Sequence, residues 1–191
     1  MRLPYVVAQI LANVAETEAS NTGVPMAIAV ADAGGGLQLF TRMDGALPAS
    51  SEIAVSKAYT AAVLRMATHE VGKLAQPGGI LYGIQHTHNG KIILFGGGFP
   101  LLLDGEVVGA IGISGGSVDE DMRVAQPAVQ MLKDMECWSG KIKELVPATV
   151  LGPSSMIRVK DELQRVLVQM IPSVSTDTVA ALTGGVLLAL S

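Results

Sequence analysis

The stretch FGGGFPLLLDGEVVGAIGISGG, residues 95–116, decides the fold of this chain. Two aliphatic runs flank Asp104-Gly105, a dipeptide that favours the type I′ turn of a β-hairpin because both central residues of that turn need positive φ. A second such dipeptide, Asn89-Gly90, precedes the run KIILFGG at residues 91–97. The sequence therefore predicts three consecutive antiparallel strands, in which the glycines let the strands bend and let a helix or a flat ligand approach the backbone.

The segment GISGG at residues 112–116 precedes a predicted helix and has some similarity to the phosphate-binding loop of a dinucleotide site. Its spacing is not Gly-x-Gly-x-x-Gly, and the strand before it comes from a tight hairpin instead of a parallel crossover. Three carboxylates follow in the next turn, Asp119, Glu120 and Asp121, and they would repel a pyrophosphate. We therefore expect no nucleotide cofactor.

The remaining elements follow from hydrophobic spacing and turn residues. Helical spacing of apolar residues predicts a helix over residues 5–20, and the segment 26–43 predicts a hairpin closed by glycines. A third element, a helix, begins near Ser50, and its many alanines would allow close packing on a sheet. A further helix begins at Ser117, where Glu120 completes a capping box, and runs to about residue 137. The expected fold is α+β, with a five-stranded antiparallel sheet flanked by helices.

The composition limits the classes of partner. Hydrophobic residues make up 49% of the chain and charged residues 16%, an apolar excess that predicts subunit contacts in a homo-oligomer. The net charge is −4, no cluster of Lys or Arg exists, and aromatics are 4%, which argues against nucleic acid. No window reaches the ~18–20 apolar residues that span a bilayer, so we expect no membrane span.

The chain contains one cysteine, Cys137, which lies beside Trp138. A single cysteine excludes an internal disulfide framework and fits a reducing cytoplasm. The thiol could be reactive or could ligate haem, although an inert thiol is the commoner case. The N-terminal residues lack the pattern of an export signal.

The composition changes near residue 146, so we expect one domain over residues 1–146 and a linker with a helical tail over 147–191. A Pro/Gly/Ser-rich segment at 146–155 precedes an amphipathic helix predicted over 156–171. A tethered amphipathic helix cannot bury its apolar stripe alone. We expect it to dock on its own domain, on another subunit or on a different protein.

Two of the three histidines, His86 and His88, lie just before Asn89-Gly90. If that segment is extended, both side chains point the same way, and His88 faces Lys91 across the turn while His86 faces Ile93. Such a pair could anchor a metal, and either imidazole could be an axial ligand to haem iron. A pair that simply faces solvent is the alternative. The third histidine, His69, is predicted to act as a cation at a helix terminus.

Polar groups also concentrate in residues 41–62. Arg42 and Asp44 leave a predicted strand, and Lys57, Tyr59 and Thr60 lie on the following helix. Arg42 and Lys57 could grip porphyrin propionates or the carboxylate of a small acid, and the alternative is a structural Arg–Asp or Lys–Asp pair. The usual hydrolase and metalloprotease motifs do not occur, so no catalytic mechanism follows and a protein that is not an enzyme is favoured.

Several motifs together resemble the GlcG/HbpS haem-binding family, which includes the C-terminal domain of PduO-type adenosyltransferases. They are VADAGGGLQLFTRMDGA, SSEIAVSKAYTAA, LYGIQ and KIILFGGGFPLLLDGEVVGAIGISGGSVDEDMRVA, within residues 3–136. The resemblance implies a profilin-like fold, homo-oligomers that are often rings of eight, and haem or tetrapyrrole binding. The positions matching the family motif are Arg42, Met43, Asp44, Gly45, Lys57, Ala58, Tyr59, Thr60, Gly96, Gly97 and Gly98. No histidine lies in the first helix, so the iron ligand stays open.

Three functional hypotheses follow. The first is a ring-forming, haem-binding accessory protein, which could be cargo of a bacterial microcompartment because the tail resembles an encapsulation peptide that binds a shell protein. The second is a small enzyme or accessory factor acting on a short hydroxy acid, diol or aldehyde, with Arg42 and Lys57 as an acid clamp. The third is a purely structural oligomeric subunit.

Overall fold

The computed structural model describes residues 3–145, and for residue 6 and residues 136–145 it describes the backbone only. The tail over 147–191, with the helix predicted at 156–171, lies outside the described residues. Residues up to Asp134 form one compact unit. The elements in chain order are helix α1 (Tyr5–Thr22), strands β1 (Ala27–Asp32) and β2 (Leu37–Arg42), helices α2 (Pro48–Leu64) and α3 (Thr68–Leu74), strands β3 (Gly98–Leu103) and β4 (Glu106–Ser114), and helix α4 (Val118–Leu145).

In the described residues the sheet has four antiparallel strands in the order β2-β1-β4-β3. The α+β class and both the β1–β2 and β3–β4 hairpins were predicted correctly. Asp104 and Gly105 join β3 to β4 with φ of +50° and +77°, as the turn type requires.

The fifth strand expected over residues 91–97 is wrong. Asn89-Gly90 lies in a short 3₁₀ turn, His88–Gly90, instead of a hairpin. The Thr60 hydroxyl donates to the Lys91 carbonyl oxygen at 3.1 Å and accepts from the Ile93 amide at 3.0 Å. Because α2 takes the backbone groups that a sheet ladder would need, this segment runs as an irregular connection to β3.

The two faces of the sheet pack differently. One face is built of small residues, and the alanines of β1 lie under Ala54 and Ala58 of α2. A Cβ at Gly112 of β4 would overlap the Ala54 carbonyl oxygen, so the close approach of α2 depends on that glycine. The opposite face packs larger side chains against α1 and α4. Its buried members include Leu11, Ile28, Val30, Leu101, Val108, Ile111, Ile113, Val124 and Leu132.

The first turn of α4 is closed by the predicted capping box. The Glu120 carboxylate accepts from the Ser117 amide at 2.8 Å, and the Ser117 hydroxyl accepts from the Glu120 amide at 3.3 Å. Hydrogen bonds from Ser117 lower the pKa of Glu120. Among residues 3–145, none of the helices combines the length and the apolar character needed to cross a membrane.

Candidate functional site

Helix α2 carries a lysine into the protein interior. Lys57 is completely buried, and its Nζ donates to Asp121 Oδ2 at 2.6 Å and to the Ile113 carbonyl oxygen at 2.8 Å. The Phe95 ring centroid lies 4.9 Å from Nζ, within the range of a cation–π contact. Asp121 also accepts from the Gly116 amide at 3.1 Å. The lysine thus ties α2 to β4 and to the first turn of α4.

Burial dominates the electrostatics of this pair. Loss of hydration lowers the pKa of Lys57, against the hydrogen bond and charge of Asp121. Loss of hydration likewise raises the pKa of Asp121, against the hydrogen bond and charge of Lys57. Both charges therefore depend on each other, because a buried charge without its partner is strongly disfavoured.

The three glycines at residues 96–98 cover this pair and its neighbours. A Cβ at Gly97, whose φ is +111°, would lie 2.7 Å from Lys57 Nζ. A Cβ at Gly98 would lie 2.5 Å from the Thr68 side chain, and one at Gly96 would overlap Met122. From the sequence, these three glycines were expected to line a cofactor. In the structure, contacts within the chain are enough to account for glycine at each of the three positions.

The acid clamp expected from Arg42 and Lys57 lacks one of its two cations, because Lys57 is buried and paired. The alternative of a structural Lys–Asp pair holds, with Asp121 as the aspartate. Arg42 and Asp44 are exposed at the end of β2, and neither makes an ion pair with another residue of the described part. Two strand spacings, about 10 Å, separate Arg42 from β4, over which Lys57 lies.

A second polar cluster lies on the outer side of α2. The Tyr59 hydroxyl and His88 Nδ1 share a hydrogen bond of 2.9 Å, and the two rings meet edge to face. The Lys91 ammonium lies 5.4 Å from the centroid of the Tyr59 ring. A Cβ at Gly35 in the β1–β2 turn would lie 2.8 Å from that ring, so the turn packs directly on Tyr59. The structure thus brings Tyr59 and His88 together, 29 residues apart in the chain.

The backbone that presents His88 is left-handed. His88, Asn89 and Gly90 have φ of +51°, +56° and +76° in succession. A non-glycine residue in this region costs about 1–2 kcal/mol. The following residues are fixed by Thr60, so contacts with α2 hold this turn on both sides.

The expectation that His86 and His88 share a strand face is wrong, because each lies in its own short 3₁₀ turn. His88 does not face Lys91 across a hairpin; the Lys91 amide donates to the His88 carbonyl oxygen at 3.3 Å. The Nε2 atom of His86 lies 3.4 Å from the Gln85 amide nitrogen. Both histidines are exposed.

His69 is not the terminal cation that was expected, because α2 ends at Leu64 and His69 lies in the first turn of α3. Its ring lies 5.6 Å from the Phe99 ring, and its Nδ1 is buried with no hydrogen-bond partner in the described part. Phe99 also lines an open groove of about 530 Å³ together with Arg123 and Lys133.

The comparisons with known proteins agree with these motifs. Residues 3–130 match the family described as haem degrading protein HbpS-like. The chain belongs to this family. The resemblance read from the motifs is thereby confirmed.

Relatives of this HbpS-like chain include an uncharacterized 15.0 kDa protein from the dhaT-dhaS intergenic region of Citrobacter freundii. It is 42% identical over 128 residues, which are 67% of this chain and 90% of that protein. The corrinoid adenosyltransferase PduO of Salmonella typhimurium is 44% identical over 119 residues, which are 62% of this chain and 35% of PduO. The chain therefore spans about a third of that enzyme. The crystal structure of a PduOC:haem complex shares 41% identity and a TM-score of 0.66, covering 68% of this chain and 94% of that one.

Sequence reasoning about this HbpS-like chain missed Asp121 as the partner of Lys57. A signal was present, because Lys57 occupies the same helical stripe as Ala54 and Ala61, which are buried. A lysine on a buried stripe needs an anion. Of the three carboxylates at 119–121, the capping box uses only Glu120, which leaves Asp119 and Asp121 as candidates to turn inward.

Proposed function

We propose that this protein is a haem-binding accessory protein. The observation that carries the proposal is the identity of 41% to the PduOC:haem complex over 94% of that chain. The description of the matched family also names haem. In the described part of the chain, the exposed imidazoles of His86 and His88 are the candidate iron ligands.

The donor set fits haem better than a bare metal ion. No three His, Cys, Asp or Glu side chains gather within the described residues to hold an ion. Haem brings four porphyrin nitrogens of its own, so one imidazole is enough as an axial ligand. Lys91, whose ammonium lies beside the Tyr59 ring, is a cation available to a haem carboxylate, and when bound, haem would supply a redox-active iron.

The loop that carries both histidines also exposes apolar surface. Ile80 is 86% exposed and Tyr82 is 65% exposed. Large exposed apolar groups close together in the chain are a feature of binding surfaces. They support a ligand with a flat apolar face.

The test is titration of the full chain with haemin, followed by the Soret band in difference spectra. We expect a saturable shift, weaker in the double variant His86→Ala/His88→Ala. Iron-free protoporphyrin is the matched ligand control and should bind less tightly, since it offers no iron to an imidazole. A wild-type chain without a saturable shift would favour the purely structural subunit.

We further propose that the protein is a homo-oligomer, of the ring type implied by its family resemblance. The support comes from the apolar composition and from exposed apolar side chains on strand β2. Leu37 is 53% exposed and Phe40 is 41% exposed. A contact between copies of the chain would remove this surface from water.

We also propose that the tail over 147–191 directs the protein to a bacterial microcompartment by binding a shell protein through residues 156–171. The support is the amphipathic pattern of that segment after a Pro/Gly/Ser linker. Fusion of residues 147–191 to a fluorescent protein in a shell-forming cell should give punctate fluorescence. Diffuse fluorescence would exclude a targeting role, and a fusion with charged residues on the apolar stripe is the matched control.

A further inference from the structure

We propose that His88 is the axial ligand to haem iron, that it binds through Nε2, and that Tyr59 is the residue that positions it. This inference rests on the haem binding proposed above. It singles out one of the two exposed histidines, His86 and His88, which sequence spacing does not separate.

The nitrogen atoms of the three imidazoles differ in availability. The Nδ1 of His88 is engaged by Tyr59 at 2.9 Å, and within the described part of the chain its Nε2 has no partner. His86 has its Nε2 beside the Gln85 amide at 3.4 Å. The Nδ1 of His69 is buried in the protein interior and is therefore not accessible to a ligand. Only His88 combines exposure, a held ring and a free Nε2.

Tyr59 is suited to hold that ring in the ligating form. A metal-bound imidazole usually donates its other N–H to an oxygen of the protein, which fixes the tautomer and the ring plane. With Nε2 on iron, the proton resides on Nδ1 and is donated to the Tyr59 oxygen. The Tyr59 ring is itself held by packing of Gly35 on one edge.

The backbone at His88 adds a second and independent observation. Two consecutive residues other than glycine, His88 and Asn89, adopt positive φ. Strained backbone of this kind persists only where its surroundings hold it, and it concentrates at functional sites. Here the strained turn brings the imidazole to Tyr59, and Lys91 adds a cation beside the ring for a ligand carboxylate.

The experiment compares haemin complexes of the full chain and of single variants, by absorption spectra, binding titration and midpoint potential. His88→Ala should lose the histidine-ligated spectrum, and added imidazole should restore it. His86→Ala removes the other candidate imidazole and should give a spectrum like that of the wild type, because His88 remains. His69→Ala is the control and should also leave the spectrum unchanged. Tyr59→Phe should keep the spectrum but raise the Kd for haem about tenfold and raise the midpoint potential, because Nδ1–H loses its acceptor.

The outcomes separate the two proposals. A wild-type chain with no saturable Soret shift overturns haem binding itself. A shift that survives His88→Ala unchanged, or that is lost in His86→Ala or His69→Ala, leaves haem binding intact and overturns the assignment of His88. Loss in His69→Ala would assign the iron to His69, whose ring lies beside Phe99. An unchanged Kd and midpoint potential in Tyr59→Phe overturn the role of Tyr59.

Discussion

Lys57 and Asp121 show how much a single buried pair can determine at the scale of residues. The side chains are 0% and 3% exposed, and Nζ lies 2.6 Å from Oδ2. Such a pair contributes little net stability compared with apolar residues of the same volume, but removal of one partner leaves an uncompensated charge. Its value in this chain is positional, because it joins α2, β4 and α4 under the Gly97 backbone.

We predict that Lys57→Met lowers the free energy of unfolding by about 3–5 kcal/mol, because Asp121 is left buried without its cation. The double variant Lys57→Met/Asp121→Leu should recover most of that loss. Urea unfolding of the wild type and the variants measures both effects. Lys73→Met, at an exposed position, is the control and should change stability by less than about 0.5 kcal/mol. Equal losses in the single and double variants would contradict the coupling.

The same pair predicts a pH dependence of stability. The lowered pKa of Lys57 means that the stability linked to this group is present above the unfolded value of 10.5 and is lost as the pH falls through its folded pKa. The raised pKa of Asp121 means that its contribution is present below 3.8 and is lost as the pH rises through its folded pKa. We therefore expect the unfolding free energy of the wild type, relative to the double variant, to be lowest at pH values between the folded pKa of Asp121 and the folded pKa of Lys57. Urea unfolding across pH measures it, and a difference that does not change with pH would contradict the prediction.

At the scale of elements, one hydroxyl decides between a strand and an irregular segment. Thr60 is buried on α2, and its hydroxyl meets the Ser56 carbonyl, the Lys91 carbonyl and the Ile93 amide. The apolar run at 91–94 is adequate for a strand, but its backbone groups are bound by a helix instead. The connection to β3 therefore lies against α2 and places His88 over Tyr59.

We predict that Thr60→Val lowers the free energy of unfolding by about 1–3 kcal/mol, because it leaves partly buried backbone groups of the connection unpaired. Hydrogen exchange at the Ile93 amide should become faster in the variant. Thr17→Val is the matched control, since the Thr17 hydroxyl donates only to the Asn13 carbonyl oxygen within its own exposed helix turn. Unchanged exchange at Ile93 would show that Thr60 does not hold the segment.

At the scale of the whole molecule, the covering of the sheet is uneven. Helix α2 packs mainly over β1, β4 and β3, so the same face of the edge strand β2 is open. Phe40 is paired with Ala29 in the ladder and thus lies on that open face. An edge strand with exposed apolar side chains invites association with another chain.

We predict that Phe40→Glu shifts the protein from an oligomer to a monomer, because a carboxylate cannot be buried there without a partner. Sedimentation velocity measures the change. Asn13→Glu adds the same charge at an exposed polar position of α1; it is the control and should leave the oligomer intact. A wild-type chain that sediments as a monomer would contradict the proposal of self-association.

The sequence by itself determined the features that depend on neighbours within a few residues. Asp104-Gly105 specified its turn because both residues accept positive φ. Ser117 and Glu120 specified the helix cap because their side chains lie one helical turn apart. The alanines of α2 indicated that this helix packs closely on the sheet. The tertiary structure decided what depends on distant partners: Lys57 meets Asp121 across 64 positions, Tyr59 meets His88 across 29, and Thr60 meets Lys91 across 31. Asn89-Gly90 does form a turn, with φ of +56° and +76°, but the hairpin expected after it does not form, because Thr60 on a packed helix binds the backbone groups of Lys91 and Ile93. Short-range patterns carry no information on which remote side chain fills a buried position, and so the arrangement of the site emerged only from the packing.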